Sequence, residues 1–215
     1  DYGADTFRLY EMAMGPLEAS KPWNTRDIVG QYRFLRRIWR NIIDERTGLV
    51  RVSDAAPSPE LERRLHRTIA GVTADIESLA LHTAISKLIE LNNDLTRVSA
   101  EGGTPRRAAE VLTLLLAPFA PHMAEELWAK LGHERSVSAE PWPAFDPAML
   151  LDDQVEIPIQ VLGKLRGKMM VPAKADAKQI EDLARNDPNV QKHLEGKSIK
   201  KVIVVPGRMI NFVVG

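Results

Sequence analysis

Cysteine is absent from the 215 residues, which excludes disulfides, thiolate zinc sites and thiol nucleophiles together and fits a reducing compartment. No run of about 18 apolar residues occurs, so no membrane-spanning helix and no membrane partner is expected. The chain opens Asp1-Tyr2-Gly3, with neither an initiator methionine nor a charged-then-apolar signal peptide. It reads as an excised piece with a cytoplasmic address. GxxxxGK[ST], GxGxxG and HExxH are missing, which removes the common phosphate loops and the helical zinc motif. The five histidines, His66, His82, His122, His133 and His193, are scattered, with no metal-ligand spacing and no sequence partner for a triad. Catalytic residues: none are expected, and no metal site.

An excess of either charge is missing too, with 29 basic and 29 acidic residues. The distribution is uneven. Residues 1–20 carry one basic and four acidic groups, 21–51 eight and three, 52–153 nine and sixteen, and 154–215 eleven and six. Two basic regions flank an acidic one, and a polyanion responds to the local field rather than the total.

What is present is ample apolar material, 44% of the chain, arranged mostly with helical period. A short helix is expected over 5–14, closed by Gly15-Pro16, with Ser20-Lys21-Pro22-Trp23-Asn24 as a tight connector. From Thr25 to about Glu45, Leu35, Ile38, Trp39 and Ile42 recur at i, i+3, i+4, i+7 and form one buried stripe. Ser58-Pro59 supplies an N-cap and a first-turn proline, and Leu61, Leu65, Ile69, Val72, Ile76 and Leu79 follow at helical spacing. Another helix begins near Leu81 and ends at Glu101-Gly102-Gly103. Thr104-Pro105 reads as a cap for a helix burying Val111, Leu112, Leu115 and Leu116. Pro118 and Pro121 break the run, and Met123, Leu127, Trp128 and Leu131 make a last short helix.

The expected fold class is therefore mostly α, an antiparallel helical bundle over 25–136. Residues 137–153, with Pro141-Trp142-Pro143 and Phe145-Asp146-Pro147, read as a linker lying on the bundle surface. After Asp153 the period switches to two, with Val155, Ile157, Ile159 and Val161 alternating as in a half-buried strand. Gly163–Gly167 then turns the chain and Lys168–Val171 returns as a second strand. Asp176 with Gln179 has the capping-box pattern, Asp187-Pro188 starts a second short helix, and Val202–Val205 with Met209–Val214 forms a terminal hairpin. Residues 154–215 should be a small basic α+β domain with two helices and about four strands.

Two groups of cations stand out. Arg26, Arg33, Arg36, Arg37 and Arg40 fall on one side of the helix after Thr25, opposite its apolar stripe, and guanidinium groups so displayed grip phosphate oxygens. An ordinary solvated face, helped by a pair such as Arg40 with Asp44, is the alternative. Lys164, Arg166 and Lys168 alternate around a glycine-flanked turn and share one face if they continue a strand. Lys197, Lys200, Lys201 and Arg208 could add to them. Lysine protecting an edge strand is the alternative there. Glu125-Glu126 points in two directions about 100° apart in a first turn, where negative charge suits the helix dipole. Asn92 and Asn93 read as a hydrogen-bonded polar layer.

Several stretches together resemble the leucyl-tRNA synthetases of bacterial type, class I enzymes. Tyr2-Gly3-Ala4-Asp5-Thr6-Phe7-Arg8-Leu9-Tyr10, then Gly15-Pro16-Leu17-Glu18 and Ser20–Asn24, look like the segment after the KMSKS loop of that family, so residues 1–24 would end the stem-contact segment. Leu116–Trp128 resembles a motif that the leucine, isoleucine, valine and methionine enzymes share in their helical anticodon-binding-type domain. Gly163–Lys168, Ile199–Gly207 and Asn211–Gly215 look like the family's C-terminal domain. The resemblance implies a parent that uses ATP and magnesium to attach leucine to tRNA and edits its errors. The HIGH and KMSKS signatures and the editing residues are absent here, so this piece should be inactive alone, with no cofactor of its own. Its implied partners are leucine tRNA and the catalytic and editing domains of the same polypeptide, as a monomer. The charge reading and the resemblance together make Arg33, Arg36, Arg37 and Arg40 the candidate contacts on the tRNA body, and Lys164, Arg166, Lys168, Lys200, Lys201 and Arg208 those at its outer corner. A protein-interaction module with no nucleic-acid role is the competing expectation.

Overall fold

The computed structural model describes residues 2–20, 22–24, 26–151, 154–173 and 175–215. The chain forms two compact units that divide between Leu150 and Leu151, each with its own apolar core.

The first unit contains α1 (Ala4–Ala13), α2 (Ile28–Ile42), α3 (Pro59–Glu77), α4 (Leu81–Gly102), α5 (Arg106–Leu116) and α6 (Pro121–Lys130). Ser58 caps α3 as its sequence requires, its hydroxyl accepting from the Leu61 amide at 3.2 Å. Only Ser78–Ala80 joins α3 to α4, which forces them antiparallel. The ion pairs agree, Asp75 meeting Lys87 near the connection and Arg64 meeting Asp94 further away. Leu35, Ile38 and Ile42 of α2 pack with Leu65, Ile69 and Val72 of α3, Leu88, Leu91 and Leu95 of α4, and Leu112, Leu115 and Leu116 of α5.

Three expectations are corrected here. Thr25 lies outside the described residues, but Arg26 and Asp27 form a turn, so α2 starts at Ile28 rather than Thr25 and ends at Ile42 rather than near Glu45. Ile43 is extended and bridges Val50, while the Asp44 carboxylate accepts from the amides of Arg46 (2.8 Å) and Thr47 (3.2 Å). Asp44 therefore closes a turn instead of pairing with Arg40. Thr104-Pro105 does not cap α5. It pairs in parallel as β2 (Thr104–Pro105) with β1 (Val52–Ser53), and the Thr104 hydroxyl donates to the Asn41 carbonyl at 2.6 Å. Gly103 makes this approach possible. Its φ is 94°, and a side-chain carbon there would sit 3.0 Å from the Arg51 carbonyl.

Residues 137–150 belong to the first unit. They carry 3-10 turns at Val137–Ala139 and Pro147–Leu150 and are pinned to α3 at two points. Trp142 Nε1 donates to Thr73 Oγ1 at 2.8 Å, and the Asp146 amide donates to His66 Nδ1 at 2.9 Å. Asp153, the expected end of the linker, lies outside the described residues.

The expected polar layer is present, but it uses Asn92 without Asn93, which is exposed. The buried Asn41 amide donates to Asn92 Oδ1 (2.8 Å) and Thr96 Oγ1 (2.9 Å). Together with Thr104, this ties α2, α4 and β2 through one residue.

The second unit contains β3 (Gln154–Val161), β4 (Lys164–Pro172), α7 (Ala177–Arg185), α8 (Pro188–Leu194), β5 (Ile199–Val205) and β6 (Met209–Val214). Asp176 and Gln179 form the reciprocal capping box at the start of α7, and Asp187 caps α8. The sheet order is β4-β3-β6-β5, with β3 and β6 parallel and the outer pairs antiparallel. Ile157, Ile159, Val161, Val171, Ile210, Phe212 and Val214 bury one face with Ile180, Ala184 and Val190 of the helices.

The turn before β4 is shorter than Gly163–Gly167. It consists of Leu162 and Gly163, both at positive φ (53° and 76°), the pairing that a two-residue hairpin needs. β6 holds it in place: the Leu162 amide donates to the Phe212 carbonyl (2.9 Å) and the Gly163 amide to Asn211 Oδ1 (3.0 Å).

Two outcomes follow for the bundle. Asn41→Ala should lower its stability in urea denaturation by about 2–3 kcal/mol, because buried acceptors lose their donor, whereas Asn93→Ala should stay within about 0.5 kcal/mol. Arg107, bonded to Glu62 at 2.9 Å, and then His66 hold the Glu62 carboxyl below the usual glutamate range, against the opposing effect of burial. A depressed folded value gives stability that is full above the unfolded pKa and is lost as pH falls through the folded one. The stability-versus-pH curve below about pH 4.3 should therefore be shallower in Arg107→Gln than in the wild type.

Candidate nucleic-acid interface

The rotation of α2 decides what its arginines face. With Phe34, Leu35, Ile38 and Ile42 buried, Arg33, Arg36 and Arg40 are exposed, as is Arg26 in the turn before the helix. Arg37 departs from the row. It is half-buried, and its Nε lies in the protein with no hydrogen-bond partner among the described residues. Arg36 donates to Glu45 at 2.8 Å, which raises its guanidinium above the usual value. Arg33 and Arg40 make no side-chain hydrogen bond or ion pair among the described residues.

In the second unit Lys164, Arg166, Lys168, Lys200, Lys201 and Arg208 are all exposed, but they do not form a single row. The β3–β4 register shifts between Ile159 and Gln160, so Ile159 faces Gly167 while Gln160 faces Leu165 and Arg166 falls at the extra position. Directly opposed residues share a sheet face. Lys168, opposite Pro158, lies on the face away from the helices. Lys164, opposite the buried Val161, lies on the other. The bulge thus overturns the common face expected for Lys164, Arg166 and Lys168. Lys168 also pairs with Glu156 at 2.8 Å.

Strand order separates the remaining cations. β4 and β5 are opposite edges of the sheet, three strand spacings or roughly 14 Å apart. Register brings their starts to the same end. Lys164 pairs with Val161, Val161 with Phe212 and Phe212 with Val202, and Lys201 follows one step on, opposite Val213. Lys164, Lys200 and Lys201 therefore flank one end of the sheet, and Arg208 lies in the β5–β6 turn at the other. On the open face the edge strands themselves also carry exposed Leu165 and Met170 (β4) and Ile203 and Val205 (β5).

The motif stretches Tyr2–Tyr10 and Leu116–Trp128 meet at the junction of α5 and α6. Pro118 and Pro121 interrupt the helices and leave carbonyls and amides unpaired. Asp5 Oδ2 accepts from the Met123 amide (2.7 Å), and Oδ1 meets His122 Nδ1 (2.9 Å). Arg8 donates to the carbonyls of Pro118 (2.8 Å) and Phe119 (3.2 Å). An anion at the α6 N-terminus and a cation at the α5 C-terminus also suit the two helix dipoles. These motif residues are thus accounted for by structure alone. Segment charge failed to single out Arg63, Arg64, Arg67 and Arg97, which line one groove of the bundle within an acidic stretch.

The helical unit and the small mixed sheet define the class. The family profile for the anticodon-binding domain of tRNA ligases matches residues 59–181, more than half of the chain, which belongs to that family. The chain is 53% identical to a leucine–tRNA ligase of Saccharopolyspora erythraea over 99% of its length, and 54% identical to one of Mycobacterium leprae over 100%. It spans only 22% of the length of these curated relatives. A crystal structure of a ternary complex of an Agrobacterium radiobacter K84 LeuRS with tRNA and LeuAMS matches 100% of the chain and 29% of its own, with a TM-score of 0.77 and 29% identity. The resemblance carried by Tyr2–Asn24, Leu116–Trp128 and the C-terminal stretches is borne out. Among the described residues no helix is long and apolar enough to cross a membrane.

Asp5→Ala should cost about 1–2 kcal/mol, as the loss of a helix cap does, read as a lower thermal midpoint of the bundle by circular dichroism.

Proposed function

We propose that the chain is the tRNA-docking part of a leucine–tRNA ligase, holding leucine tRNA so that the rest of the polypeptide attaches leucine to its end. The observation that carries this reading is that a LeuRS solved with tRNA matches the whole chain. Exposed cations on rigid elements support it, since Arg33, Arg36 and Arg40 stand on a packed helix and Lys164, Arg166, Lys168, Lys200, Lys201 and Arg208 on or beside sheet edges. Such groups displace counterions from phosphates and fix the register of a polynucleotide without reading its bases. Leucine activation, which draws on ATP and magnesium, and editing belong to the parent's other domains. This part contributes position.

The aromatic cluster of α1 supports packing against those domains. Phe7 and Trp23 are 50% and 51% exposed, with ring centroids 5.9 Å apart, and Tyr10 meets Trp23 at 4.8 Å. Exposed apolar groups gathered in this way mark an interaction surface, and the relatives are several times longer than this chain.

Fluorescence anisotropy with labelled leucine tRNA tests the docking reading. Binding should weaken with salt at a slope corresponding to roughly four to eight phosphate contacts, and the triple variant K164E/R166E/K168E should lose at least about tenfold in affinity near 0.1 M salt. No binding at low salt, or a triple variant equal to wild type, would count against it.

A further inference from the structure

Between α3 and α4 lies an open groove of about 560 Å³ lined by Arg63, Arg64, Arg67 and Arg97, with Ser58 and Asp94 among its other walls. We propose that this groove seats a stretch of phosphodiester backbone, a second contact between the bundle and the tRNA. The inference rests on the docking reading above.

The arrangement of charge favours an anionic occupant. Asp94 accepts from Arg64 Nε at 2.9 Å and also from Arg97, and Glu90 accepts from Arg64 Nη2 at 2.9 Å. Asp94 is 24% exposed and Arg97 78%, so the carboxylate lies beneath and the guanidinium outside. A guanidinium carries five N–H donors in a planar fork. Arg97 spends one on Asp94 and Arg64 two on its carboxylates, which orients both groups and leaves donors on their remaining edges. An arginine aligned in this way loses less freedom on gripping a phosphate. Four guanidiniums line the groove against two carboxylates, Glu60 and Asp94, with Glu90 beside it.

The shape favours a chain over a single ion. Arg63 and Arg67 are four residues apart on α3, just over one helical turn and about 6 Å along the axis, and Arg97 comes from the neighbouring helix. The cations therefore form a line in an open cleft rather than an enclosed cup. Successive phosphates of a backbone can occupy such a line, and contacts of this kind position the polymer without sequence preference.

The double variant R67Q/R97Q tests the proposal in the same anisotropy titration. R46Q/R135Q, which removes two exposed bundle charges outside the groove, is the control, and circular dichroism verifies the fold of both. R67Q/R97Q should reduce the slope of log affinity against log salt by about two and weaken binding roughly tenfold or more near 0.1 M salt, with the control close to wild type. Wild-type binding with a slope unchanged in R67Q/R97Q overturns the groove and leaves an acidic polypeptide as its remaining occupant. Equal losses in both variants also overturn it, because the effect is then general charge. If the wild type fails to bind even at low salt, the docking reading itself falls.

Discussion

Asn41 sets the rotation of α2, and the outward face of the bundle depends on that rotation. Its side-chain amide reaches Asn92 and Thr96 on α4, while its carbonyl takes the Thr104 hydroxyl from β2. Apolar packing alone tolerates small rotations and slides of a helix, because the hydrophobic effect has no direction. Hydrogen bonds in a dry interior are directional and expensive to leave unmade. With Asn41 so held, Ile38 and Ile42 point inward and Arg33, Arg36 and Arg40 point to solvent. A rotation by one residue would turn arginines toward Leu88 and Leu91.

The second unit orders its charges by another means. Among its described residues no buried polar layer fixes its register. The two-residue turn at Leu162-Gly163, pinned by Phe212 and Asn211, and the bulge at Arg166 fix it instead. The parallel pairing of β3 with β6 puts the two hairpins side by side, so cations distant in sequence flank one end of the sheet. The resulting platform carries cations beside exposed apolar side chains on its two edge strands, and the candidate cations other than Arg208 sit on paired strands rather than on loops that would have to be ordered on binding.

Much of the architecture was legible in the sequence because it rests on local rules. Ser58-Pro59 and Asp176 with Gln179 specify helix starts through bonds within a few residues. The period-two pattern of Val155–Val161 marks a strand by itself. Expectations failed where a distant partner outcompeted the local one. Thr104 bonds Asn41, 63 residues away, instead of capping its own helix. Asp44 closes a turn completed by the Ile43–Val50 bridge. Neither competitor has a signature at the position it alters.

The sequence by itself determined the class of elements, their order, the two cores and the kinship with leucine–tRNA ligases, since periodicity, caps and motifs are short-range properties. It also located most of the exposed cations, because guanidinium and ammonium groups rarely bury. Only the tertiary structure decided which cations stand together. Arg63, Arg64, Arg67 and Arg97 meet in one groove because α3 and α4 run antiparallel, whereas Lys168 and Lys201 part to opposite sheet edges because β3 and β6 take the centre. Charge acts through distance in space, and the chain's separations are set by packing rather than by sequence number.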